Sequence, residues 1–96
     1  VEKMIKVNEQ IVEKSIKNYG KCIQLVTSME ECSELTQAIS KEIRGKSDIN
    51  HVAEEVADVL ICIEIVKQVC GISDKRIQDW IDAKQERLVR RMEKEL

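Results

Sequence analysis

The residues of this chain that could do chemistry are acids in two short runs, Glu30-Glu31-Cys32-Ser33-Glu34 and Glu54-Glu55-Val56-Ala57-Asp58. In a chain that is 35% charged, acids on a helix are ordinary, because Glu is a good helix former and suits an exposed face. Their place in the apolar pattern is not ordinary. At about 100° per residue, Asp58, Val59, Cys62, Val66 and Val69 fall within about 60° of Glu55, so Glu55 and Asp58 lie inside an apolar helix face. Glu54 is turned about 100° away, toward the rim. In the earlier run, Glu31 and Glu34 share a face with Thr27, Leu35 and Ala38, bordering the stripe of Leu25, Met29, Cys32, Ile39 and Ile43, whereas Glu30 points farther out.

If the two helices form a hairpin turning near residues 45–47, Glu34 and Asp58 are nearly equidistant from the turn. At about 1.5 Å rise per residue, all four inward acids then fall within roughly one helical turn of one another. Four ionised carboxylates in a partly dry groove repel strongly unless they protonate or bind cations. An all-oxygen set without His or Cys favours Mg²⁺, with Mn²⁺ as a substitute, over Zn²⁺ or Cu²⁺. A di-iron bundle would carry Glu-x-x-His pairs, and none is present. Mg²⁺ favours sites completed by substrate phosphates, so the acids imply a phosphorylated substrate, a metal-activated water as nucleophile and a leaving pyrophosphate.

The elements that must position these acids read as helices. The chain has 96 residues, no Pro, three Gly and many Glu, Lys, Ile, Val and Gln, a composition that favours long helices over strands and turns. The breakers divide it into helices over about 2–18, closed by Tyr19-Gly20, and about 21–44, then a third capped by Ser47 or Asp48 and ending near Cys70. Gly71 ends that helix, Ser73 or Asp74 caps the fourth, and Ile77, Ile81, Lys84, Leu88 and Met92 recur along it at helical spacing. The expectation is a single all-α domain over 1–96, an antiparallel four-helix bundle. A core of this size leaves a modest margin of stability, and burial against a second copy would help.

Composition excludes several classes. A net charge of -2 with both signs dispersed gives no footprint for a nucleic acid polymer or an anionic membrane, and only Tyr19 and Trp80 are aromatic, too few for a base-stacking platform. No run is long and apolar enough to span a bilayer, and VEKMIKVNEQ does not resemble a secretory signal, so a cytoplasmic protein is expected. Cys22, Cys32, Cys62 and Cys70 form no CxxC pair and read as small core hydrophobes in a reducing compartment. His51, the single histidine, reads as a surface or capping residue. The terminal RLVRRMEKEL reads as a solvated face with i,i+4 ion pairs.

At the acidic residues the sequence resembles the MazG-like all-α nucleoside triphosphate pyrophosphohydrolases, a superfamily that includes dimeric dUTPases and phosphoribosyl-ATP pyrophosphohydrolases. The likeness spans about residues 19–91, and the family pattern EExxE followed by ExxD stands here as Glu30-Glu31-Cys32-Ser33-Glu34 and Glu55-Val56-Ala57-Asp58. The resemblance implies that Glu31, Glu34, Glu55 and Asp58 are the metal-ligand and catalytic positions, with Glu30 and Glu54 in an outer shell or at a second metal. It also implies a basic segment on the last helix that addresses the triphosphate, where Lys84 and Arg87 match and Asp82 stands where the family often has Asn. Lys84 independently sits between Ile81 and Leu88 in an apolar row, where a buried stem could carry its charge along the groove. Gln24, a turn or two before the acids, is a candidate base or sugar contact. Family members work as homodimers or homotetramers, so a homo-oligomer acting in nucleotide housecleaning or pool control is expected. The competing readings are the phosphoribosyl-ATP branch and a non-catalytic helical module that binds a nucleotide or a protein.

Overall fold

A computed structural model describes residues 5–95. Those residues form four helices and no strand: α1 (Glu9–Tyr19), α2 (Lys21–Ile43), α3 (Ile49–Cys70) and α4 (Asp74–Glu95). The all-helical class and the placement of the breakers agree with the sequence reading. The start of α1 does not. Residues 5–8 are not helical, and Asn8, extended at φ -79° and ψ 107°, accepts hydrogen bonds from the Gln10 and Ile11 amides at 3.0 and 3.1 Å. An N-cap residue must leave helical geometry to make those bonds, so the apolar stripe that crosses it in sequence is cut there. The expected helix over residues 2–4 lies outside the described residues.

Gly20 closes α1 and opens α2 in one step. At φ 91°, a region that favours glycine, its amide donates to the Ile16 carbonyl at 2.8 Å and its own carbonyl accepts from Gln24 at 3.1 Å. Asp48 caps α3 through the Asn50 amide at 2.9 Å, and Ser73 caps α4 through the Arg76 amide at 3.2 Å. Of each pair of candidate caps, these are the ones whose side chains accept the orphan amides.

Helices α1, α2 and α3 pack together around Val12, Ala38, Cys62 and Ile65. Polar side chains tie the packing. Ser15 donates to the Gln24 side chain at 2.9 Å across α1 and α2, and Gln68 donates both to the Glu9 carbonyl at 3.0 Å and to buried Glu64 at 2.9 Å across α3 and α1. Lys67 completes this group by pairing with Glu64 and with Asp74 at the start of α4, and the two acids push its pKa up to about 12.

The four helices are consistent with the expected helical bundle, but within the chain the fourth stands apart from the other three. No Cα atom of α4 comes within 8 Å of one in α1, α2 or α3, and none of its described residues is buried. Trp80, Ile81, Leu88, Val89 and Met92 face solvent, as do Val26, Met29 and Ile39 on α2. The radius of gyration is accordingly 16.2 Å, against about 12.5 Å for a compact chain of this length. The same openness corrects the reading of the cysteines, of which only Cys62 is buried while Cys22, Cys32 and Cys70 are exposed.

Asn8→Ala removes two hydrogen bonds from the start of α1 and should lower stability by about 1 kcal/mol, read as a lower urea midpoint with an unchanged slope. An unchanged midpoint would mean that α1 does not begin at this cap.

Candidate metal centre

Helices α2 and α3 are joined by a five-residue connection and pack against each other. The charges of Glu34 and Asp58 act on Glu31, and that of Glu34 on Glu55. The convergence of the four acids expected from their spacing is present. Glu31, Glu34, Glu55 and Asp58 each offer an oxygen, and these atoms all lie within 4.8 Å of one another.

Burial differs along the cluster. Glu55 is only 5% exposed, Glu31 and Asp58 are half-buried, and Glu34 is exposed at the open side. Oε2 of Glu31 and Oε2 of Glu55 are both buried without a hydrogen-bond partner. Leaving a buried polar atom unpaired costs on the order of 1–3 kcal/mol, and more for a charged group, so two in one cluster suit a held proton or a bound cation. Burial, followed by the charges of Glu34 and Asp58, raises the Glu31 pKa from its ordinary 4.5 to about 7. Glu55 is also raised, by burial and then by Glu34, with His51 opposing.

These donors fit a hard divalent cation. Oxygens on opposite sides of Mg²⁺, each at about 2.1 Å, stand about 4.2 Å apart; donors already within 4.8 Å need only small side-chain movements to reach that separation. A cation there would partner both orphaned oxygens and relieve the like-charge repulsion together.

The remaining candidates are distributed around this centre. Glu30 is exposed and belongs to no such group. Glu54 joins a second group with His51 and Glu55, in which His51 Nε2 is 3.7 Å from Glu55 and Nδ1 is 4.0 Å from Glu54. His51 is thus a surface residue, as expected, yet adjoins the acids; its i,i+4 spacing from Glu55 was the available signal. Gln24 is buried, with its side-chain oxygen engaged by Ser15. Lys84 and Arg87 are exposed on α4, away from the backbones of α2 and α3. No known protein family, curated protein or solved structure matches this chain.

The raised Glu31 pKa has a signed consequence. Between pH 4.5 and about 7, the folded chain holds a proton that the unfolded chain releases, so metal-free stability falls as pH rises through that window. In EDTA, the melting temperature should drop by several degrees from pH 4.5 to 7.5. Glu31→Gln or added Mg²⁺ should flatten the dependence. A parallel pH profile for Glu31→Gln would show that Glu31 does not carry the proton.

Proposed function

We propose that this chain is a Mg²⁺-dependent nucleoside triphosphate pyrophosphohydrolase of the MazG-like kind, converting a ribo- or deoxyribonucleoside triphosphate and water into the monophosphate and pyrophosphate. The observation that carries this reading is the convergence of Glu31, Glu34, Glu55 and Asp58, two of them with buried, unpartnered oxygens. Carboxylates serving only as solvated surface charge would not be brought together and then stripped of water.

A bound Mg²⁺ would supply positive charge to offset that of the triphosphate at the α-phosphorus. The four acids would hold it, with Glu55 buried and Glu31 half-buried in the helix interface and Glu34 exposed toward the substrate side. Water adds at the α-phosphorus, the bridging bond to the β-phosphate breaks, and pyrophosphate leaves. The acids must be ionised to bind, so substrate turnover favours pH above the raised Glu31 range.

The reading includes a homodimer or homotetramer, with cytoplasmic nucleotide housecleaning as its setting. The exposed apolar row on α4, the exposed Val26, Met29 and Ile39 of α2 and the expanded radius of gyration support burial against a second copy. Such an assembly completes an antiparallel four-helix bundle and is the route by which Lys84 and Arg87 would meet a triphosphate. Leu88→Glu should then split the assembly, read as a lower sedimentation coefficient; a wild-type chain sedimenting as a monomer at high concentration would refute this part.

Incubation with a panel of nucleoside triphosphates and with phosphoribosyl-ATP should give Mg²⁺-dependent monophosphate and pyrophosphate, abolished by EDTA. Glu34→Ala and Asp58→Ala should each lower turnover by more than about a hundredfold, beyond the usual effect of losing an outer partner, with helicity retained. No turnover of any nucleotide by the wild type, together with no Mn²⁺ binding, would sink the proposal.

A further inference from the structure

The connection between α2 and α3 builds a feature that the acid cluster does not use. Ala38, Lys41, Lys46, Ser47, Asp48 and His51 are among the residues lining a cavity of about 330 Å³. Its construction begins with Gly45, which at φ 68° takes the left-handed conformation that terminates a helix and turns the chain back, so that the Lys46 amide donates to the Lys41 carbonyl at 2.9 Å. The turn thereby brings two lysines to one opening.

Neither lysine side chain is neutralised among the described residues. Glu42 accepts from the Ser47 hydroxyl and the Asp48 carboxylate from the Asn50 amide; both keep their negative charge, and Asp48 shares the cavity lining, but neither forms an ion pair with Lys41 or Lys46. The cavity also adjoins the acid cluster. Ala38 follows Glu34 by four residues and His51 precedes Glu55 by four, a step of about 6 Å along the groove, and His51 Nε2 stands 3.7 Å from Glu55 Oε1. The opposite end of the cluster opens instead on an apolar cavity of about 180 Å³ walled by Cys62, Val66 and Ile77. The one lysine there, Lys67, is bound to Glu64 and Asp74.

We propose that the Lys41–Lys46 cavity is the subsite for the terminal phosphates of the substrate and for the departing pyrophosphate, with the nucleoside directed toward the apolar end. The assignment rests on the pyrophosphohydrolase reading. A step of about 6 Å suits a triphosphate whose first phosphorus lies at the acids and whose remaining phosphates lie between the two ammonium groups. Lysine serves here as an unpaired point charge that needs no fixed fork geometry.

The test is calorimetric titration of inorganic pyrophosphate, in Mg²⁺, into the full chain, the Lys41→Gln/Lys46→Gln variant and a charge-matched control, Lys17→Gln/Lys75→Gln. The first variant should weaken pyrophosphate by about tenfold or more and raise KM for the best nucleotide more than it lowers kcat, with Mn²⁺ binding unchanged. The control should behave as wild type. Pyrophosphate affinity within about twofold of wild type in the first variant, an equal loss in the control, or no pyrophosphate binding by the wild type would each overturn the subsite. Lysine-dependent pyrophosphate binding without turnover of any nucleotide would support the subsite and defeat the hydrolase reading, which keeps the two failures apart.

Discussion

Mutual repulsion among four carboxylates is the constraint that the rest of this structure answers. Holding Glu31, Glu34, Glu55 and Asp58 within 4.8 Å of one another requires α2 and α3 to approach closely where their charges most oppose it. Small side chains make the approach possible. Ser28, Ala38 and Cys62 are all buried on either side of the cluster, and helix separation falls with the size of the residues at the contact. The two long helices carry the strain of the centre over many turns, and α1 braces them through Val12, Ser15 and the bond from Gln68 to the Glu9 carbonyl. Packing free energy is thus set against electrostatic cost, and raised proton affinity at Glu31 and Glu55 is the visible residue of that opposition.

How much of this could be read from residues alone depends on range. Helical periodicity and the near-equal distance of Glu34 and Asp58 from the turn brought the acids together correctly, because both arguments need only the geometry of one helix and one short connection. Asn8 was legible too, as an Asn followed by Glu at a helix start, but the apolar row running through it masked the signal. The exposure of Cys22, Cys32 and Cys70 was not legible. Periodicity says which residues share a face; it does not say whether another helix arrives to cover that face. The lysine pair was hidden for a related reason, since Lys41 and Lys46 meet through a left-handed residue at Gly45 and a backbone bond across the turn, neither of which follows from side-chain spacing.

The groove between α2 and α3 has a direction. Toward the turn lie unpaired lysines and His51; toward the other end lie a buried thiol, valine and isoleucine, with the local lysine neutralised. A ligand with one strongly anionic end and one largely apolar or aromatic end matches that gradient, and the acid cluster sits at the junction. The polarity comes from two different devices. One end is basic because a helix terminates there and its turn gathers cations, while the other is apolar because it lies beneath the departure of α4.

An ion-pair chain marks that departure. Buried Glu64 holds Lys67, Lys67 pairs with the exposed Asp74, and Ser73 caps α4, the helix that Asp74 begins. Beyond that anchor it buries none of its described residues. Helices owe most of their stability in proteins to tertiary packing of an amphipathic face, and the row through Ile81, Leu88 and Met92 is such a face, left exposed among the described residues. On the proposed reading, the contact that covers this face would also be the one that brings Lys84 and Arg87 to the substrate. The three packed helices hold the acid cluster in place independently of it.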